Sequence, residues 1–269
     1  MNLKKAVSNA QMVSQNGFQN STLKHLVHHM LIQEIGENYF NLKRKISVFT
    51  LPGTSMALED SLKLTFGRNI ELTGVEHDPE VFAKAQAKFK EVELKMDLTC
   101  ESDQVFWSRT PKKFDFIWLD YCGPWAPGKE HAFETLFSRG ALKFTKNSTP
   151  MLALTVCEGR DFHSLGSLVL LAKNKCNKRG NNLKFLARIG GIPLRINEMA
   201  NKHGITLVPE LVIRYRDKTL SHRAATMLMF LFHVDREVHP VDVLSSRTID
   251  LVQEVVRKVG RASEDHRPD

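Results

Sequence analysis

Three carboxylates that close short apolar runs carry most of the chemistry this sequence can do: Glu76 after IELTGV, Asp97 in ELKMDLT, and Asp120 at the end of FDFIWLD. A carboxylate at the carboxyl end of a strand in an open parallel sheet can accept two hydrogen bonds from a ribose diol, and a glycine in the preceding turn lets the backbone approach a ligand closely. Gly53 supplies that glycine within Pro52-Gly53-Thr54-Ser55. Glu76 follows it at close to the ~20-residue offset expected for such an acid. Asp120 is followed by Tyr121, Cys122, Gly123, Pro124 and Trp125, so one loop holds an acid, a phenol, a thiol and an indole. The acid and phenol suit proton transfer, and an aromatic ring can stack on a base or pack in the core. Cys122 and Cys157 fall just past two successive β-like runs and would face one another across a cleft. A thiolate there could act as a nucleophile, whereas a buried cysteine is otherwise just a small apolar residue.

These residues can meet only if the elements around them form one sheet. KISVFTL reads as a strand, followed by the Pro52-Gly53 turn and the helix MALEDSLKLTF, ended by Gly67. IELTGV reads as a second strand and EVFAKAQAKFK as the helix after it. KFDFIWLDY alternates too little for a half-exposed strand and suits a central parallel one. GPWAPGK, before the helix HAFETLFSRGALKF, could be a lid or a rigid connection, and PMLALTVC is a fifth strand. PLRINEMANKHG reads as a helix closed by Gly204. The runs TLVPELVIRYR and ATMLMFLFHV lie close enough to form an antiparallel pair. The expected fold is α/β, a Rossmann-like doubly wound sheet, mostly parallel, with a C-terminal antiparallel strand pair.

In this order of elements, from roughly Lys45 to Val234, the chain resembles the class I S-adenosylmethionine-dependent methyltransferases. The resemblance implies S-adenosyl-L-methionine as cofactor, with Thr50, Pro52 and Gly53 at the first motif and Glu76 at the ribose, beside His77. It places Asp97 after the third strand, near the adenine amino group, and Asp120 beside the transferred methyl. The first motif departs from the family's pattern, with one glycine and with Thr50 where an acid would stand, so the methionine end must be held differently. A dinucleotide dehydrogenase is the alternative, but G-x-G-x-x-G is absent and such enzymes continue with parallel units. Methyl transfer needs in-line placement and, for a weak nucleophile, help with its proton. Asp120 and Tyr121 are the candidates for that role, and Tyr121 or Trp125 could stack on a base. Enzymes methylating exocyclic nitrogens carry adjacent prolines in this loop, which D-Y-C-G-P-W lacks. RNA cytosine-C5 methyltransferases place two cysteines at these strand ends, which makes Cys122 an alternative catalytic residue, although it lies two rather than three residues after Asp120.

Charge points to a partner. With 38 Lys and Arg against 30 Asp and Glu the net charge is +8, which favours a polyanion. Lys173, Lys175, Lys178, Arg179, Lys184 and Arg188 form a run without an acid, and Lys178 and Arg179 at its centre would bind phosphates. RNA or DNA is therefore the expected substrate. A small-molecule or protein methyltransferase, or a fold-retaining binding protein without activity, is the alternative. The 269 residues suffice for one catalytic domain over 41–238, with an arm and helix over 1–40 and a helix and polar tail over 239–269. His25, His28 and His29, in TLKHLVHHMLIQEIGEN, are expected on a solvated helix face and no metal is expected. Four cysteines without C-x-x-C spacing, no secretory signal and no apolar run near ~20 residues lead to the expectation of a cytoplasmic protein with free thiols and no membrane segment.

Overall fold

The computed structural model describes residues 22–91, 95–121, 123–157, 181–216 and 226–236. Five short parallel strands are β1 (Ile46–Thr50), β2 (Ile70–Glu76), β3 (Met96–Cys100), β4 (Phe116–Asp120) and β5 (Met151–Cys157). Two longer ones follow, β6 (Thr206–Arg216) and β7 (Thr226–Asp235). They form one seven-stranded sheet in the order β3-β2-β1-β4-β5-β7-β6, with β7 antiparallel to both β5 and β6. The chain direction of assembly reverses between β1 and β4, which makes the cleft beyond their carboxyl ends the topological switch point. The apolar continuity of β4 and β5 follows from position, because central strands are covered on both faces and bury nearly every side chain.

Alternation along the strands divides the core into two layers. Phe49, Ile117, Leu119, Leu152 and Leu154 face α4 (Asp103–Arg109), α5 (Pro127–Ser138) and α6 (Asn181–Asn201), with Phe106, Trp107 and Phe114 packed around Phe49. Val48, Phe116, Trp118, Met151 and Ala153 face α1 (Thr22–Tyr39), α2 (Ala57–Phe66) and α3 (Pro79–Glu91). Helix α1 buries Val27, Leu31, Ile35 and Tyr39 at helical spacing, each contributing about 1.5 to 3 kcal/mol of transfer free energy. It is thus part of the sheet's packing, as its apolar stripe implies. The Tyr39 hydroxyl donates to the carbonyls of Asp115, at 2.5 Å, and Thr149, at 3.0 Å, which pins the helix to the amino edge of the sheet. The fully buried Asp115 is in turn held by both terminal nitrogens of Arg44 and by the backbone N–H of Ser47 at 2.9 Å. With its last turn fixed there, α1 runs antiparallel to the parallel strands and carries its first turn to their carboxyl edge.

Two helices differ from their expected bounds. Helix α5 begins at Pro127, where a missing N–H costs nothing, and ends at Ser138 before Gly140 (φ 61°). Helix α6 is longer than PLRINEMANKHG and continues through Pro193 in its interior. Gly204 (φ 70°) does stand just beyond its end.

Candidate active site

The carboxyl edge gathers Thr50, Glu76, Cys100, Asp120 and Cys157 as the last residues of the five parallel strands. In the β1–β4 register Thr50 pairs with Trp118, and in the β4–β5 register Asp120 pairs with Thr155. Paired residues share a face and alternate residues return to it. Thr50, Trp118, Asp120 and Thr155 therefore all lie on the α1/α2 side.

The loop after β1 is set by sterics. Pro52 is buried and crosses over Gly74, which pairs with Thr50. A Cβ on Gly74 would fall 2.2 Å from Met96 Cε and 3.0 Å from Pro52 Cδ, so any side chain here would force Met96 and the Pro52 ring to shift. Gly53 is exposed with no protein atom within 4 Å of the Cβ it lacks, and its carbonyl accepts from Met56 N–H at 3.2 Å. Met56 enters α2 buried and left-handed (φ 48°), a conformation disfavoured for a residue with a side chain.

Glu76 closes β2 with its side chain mostly covered. The Asp78 N–H donates to Oε1 at 2.9 Å and His77 Nδ1 lies 3.1 Å from the same oxygen. His77 itself projects into solvent. Asp78 caps α3 by accepting from the N–H groups of Val81 and Glu80, which hold its carboxyl below the usual range.

A polar cluster lies beside Asp120 on the α1/α2 face. Lys24 Nζ, from the first turn of α1, stands 3.0 Å from Asp120 Oδ2. One helical turn on, His28 is buried edge-on against Trp118 at 5.3 Å, and neither of its ring nitrogens has a hydrogen-bond partner. Burial, with Lys24 and His25 adding to it, lowers its pKa from 6.5 to about 3, so the ring is neutral. The Trp118 indole N–H donates to Thr155 Oγ1 at 3.0 Å. Glu59, on the buried side of α2 between Leu58 and Leu62, is 2% exposed. Burial pushes its carboxyl up and Asp120 adds to that push, while the Thr50 hydroxyl and Lys24 oppose it. Thr50 Oγ1 lies near enough to favour ionised Glu59 but completes no hydrogen bond of normal geometry.

On the opposite face the Tyr121 hydroxyl donates to Asp103 Oδ2, so the loops after β3 and β4 are tied together. Burial and the Asp103 carboxylate push the phenol's pKa well up. Lys129 Nζ lies 5.1 Å from the Tyr121 ring centre. Tyr121 N–H donates to Thr155 O at 2.9 Å and Cys157 N–H to Gly123 O at 3.1 Å, which extends the β4–β5 ladder into the loop.

The structure corrects three expectations. Asp97 does not follow the third strand: it is the second residue of β3, paired with Thr73 and bridged to Lys112, some three residues short of the carboxyl edge. The acids that do follow β3 are Glu101 and Asp103. Trp125 is 6% exposed, packed on Phe133 at 5.6 Å with its N–H on Glu130 at 3.1 Å, so its ring is core and presents no face to a base. His28 is buried and does not sit on a solvated helix face. Cys122, Lys178 and Arg179 lie outside the described residues, as does the tail from 237 onward. Lys24, Glu59 and Asp103 stand beside the candidate site without any motif pointing to them, although Glu59 on the apolar stripe of α2 is a visible sequence signal. Among the described residues no group of three His, Cys, Asp or Glu could hold a metal ion, and no helix is long and apolar enough to cross a membrane.

No family model matches the sequence and no curated protein matches it. Solved structures do. A protein from Listeria monocytogenes assigned as a class I S-adenosylmethionine-dependent methyltransferase superposes with a TM-score of 0.51 at 13% identity, covering 89% of this chain and 71% of that one. An assigned sarcosine dimethylglycine methyltransferase from Galdieria sulphuraria gives 0.50 at 14% identity, covering 79% and 86%. An assigned RNA methyltransferase from Pyrococcus horikoshii gives 0.50 at 11% identity, covering 87% and 100%. The fold is that of the class I S-adenosylmethionine-dependent methyltransferases.

Proposed function

We propose that this chain, folded as a class I methyltransferase, transfers a methyl group from S-adenosyl-L-methionine to a nucleic acid. The observation that carries the reading is the placing of Glu76 and Asp120 as the last residues of β2 and β4, on either side of β1 at the switch point. The residues present fit the cofactor. Both contacts to Glu76 fall on Oε1, so Oε2 is available for a ribose diol. Gly53 has open space where a side chain would be, which permits close approach of a ligand to the backbone. The Thr50 hydroxyl ends β1, where the acid expected on that strand is missing, and the buried Glu59 of α2 lies beside it.

The cofactor, when bound, supplies an electrophilic methyl group. The chain's own residues bind and orient. Glu76 would hold the ribose, and Asp103, which follows β3 as Asp97 was expected to and is bonded to Tyr121, would meet the adenine. Asp120 accepts or polarises the proton of the incoming nucleophile, with Lys24 fixing its carboxylate. Tyr121 has its hydroxyl committed to Asp103, so its part is to shape the wall rather than to move a proton.

The net charge of +8 supports a nucleic-acid substrate. Methyl transfer from labelled cofactor to pooled RNA, DNA and small-molecule acceptors tests the reading. The account expects incorporation into RNA or DNA, lost in Asp120→Ala with cofactor affinity held within a few-fold. Incorporation into small molecules alone would shift the substrate class.

A further inference from the structure

A carboxyl group that is almost wholly withdrawn from solvent and has no cation against it is costly, because burying charge without a partner is one of the largest penalties in folding. Glu59 is in that position. It is 2% exposed, and among the described residues no Lys, Arg or His nitrogen stands within ion-pair distance of it. The cation facing this region is Lys24 on α1, which is bound to Asp120 instead. The other groups acting on it are its own backbone N–H, the Thr50 hydroxyl on β1 and the Asp120 carboxylate on β4. A packing role would be served as well by Gln or Met on this stripe of α2, between Leu58 and Leu62. Its carboxyl therefore lies beside Thr50 and Asp120, the last residues of β1 and β4, at the carboxyl edge where the cofactor is proposed to bind.

We propose that Glu59 is the residue through which this site recognises positive charge: a cationic group of the sulfonium cofactor pairs with its carboxylate, so that protons and the cofactor compete for it. The proposal rests on the cofactor reading above. The proton balance is simple. A Glu59 carboxyl that holds a proton gives it to solvent as the cation pairs with the carboxylate. Burial favours the protonated form, which is the form the cofactor's cation must displace. Two cofactor groups carry the required charge, the sulfonium and the α-ammonium. S-adenosylmethionine has both, S-adenosylhomocysteine has the ammonium alone, and 5′-methylthioadenosine has neither.

Titration calorimetry in buffers of differing ionisation enthalpy counts the protons released. On the full chain, across roughly pH 5 to 9, S-adenosylmethionine should release up to one proton, and its affinity should fall by as much as tenfold per pH unit on the acid side. Release with S-adenosylmethionine but not S-adenosylhomocysteine assigns the sulfonium to Glu59, and release with both assigns the ammonium. 5′-Methylthioadenosine should bind without release. Glu59→Gln should fold, bind S-adenosylmethionine roughly tenfold or more weakly, and release no proton. Binding with no release at any pH, or release that persists in Glu59→Gln, overturns the proposal and leaves the cofactor assignment standing. Failure of wild-type protein to bind any of the three ligands contradicts both.

Discussion

Lys24 Nζ lies 3.0 Å from Asp120 Oδ2, so the first turn of α1 is joined to the end of β4 across 96 residues of sequence. The same helix is fastened at its other end by the Tyr39 hydroxyl on the Asp115 and Thr149 carbonyls. One rigid element thus sets the position of a cation at the reactive edge.

Lys24→Met should change stability by about 1 kcal/mol or less, because the Lys24 side chain is 38% exposed and such pairs are screened by solvent. Its effect on chemistry should be larger, with methyl transfer falling roughly tenfold as Asp120 loses its orientation. Lys24 also favours ionised Glu59, so its removal should move the acid limb of cofactor binding to higher pH. Turnover and a pH series of affinities check both. An unchanged profile in each would remove Lys24 from the site.

Gly74→Ala should destabilise the fold by about 1 to 3 kcal/mol, the range for overpacking a filled position. The added methyl meets Met96 Cε, which can swing away, and the Pro52 ring, which cannot without moving the loop. Denaturant unfolding should therefore report the loss of stability together with weaker cofactor affinity. Lost stability with unaltered affinity would mean that Met96 alone gives way.

The parallel order of β1, β2, β4 and β5 and the antiparallel β6–β7 pair were legible because each strand carries its own apolar run with turn residues beside it. Glu76 and Asp120 were legible for the same reason, since an acid ending such a run marks the strand's carboxyl end. Asp97 was misplaced because L-K-M-D-L-T alternates throughout, and only pairing with Leu72–Glu76 of β2 fixes where β3 stops. Trp125 sits among turn residues, and nothing local tells that Phe133 and Glu130 draw its ring inward. The Lys24–Asp120 and Tyr121–Asp103 contacts depend on where helices cross the sheet, a tertiary property that no spacing encodes.

His28 predicts how the fold responds to acid. Its folded pKa of about 3 lies below the ordinary 6.5, so the native state binds fewer protons than the unfolded chain between these values, and stability falls as pH falls through that window. The loss attributable to this one group is at most roughly 4 to 5 kcal/mol. His28→Leu removes a buried group with no hydrogen bond and should leave the protein folded and less acid-sensitive. Chemical denaturation at a series of pH values measures this. An acid dependence identical to wild type would show that His28 does not contribute.

The central claim is that Glu76, at the end of β2, holds the ribose of a sulfonium cofactor, and calorimetric titration of S-adenosylmethionine against NAD, on wild-type protein and Glu76→Ala, tests it most directly. The account predicts that S-adenosylmethionine binds and NAD does not, and that the substitution weakens binding by about 1.5 to 3 kcal/mol, the range for hydrogen bonds to a charged group. Binding of NAD in place of S-adenosylmethionine, or an affinity for S-adenosylmethionine that Glu76→Ala leaves untouched, would contradict it.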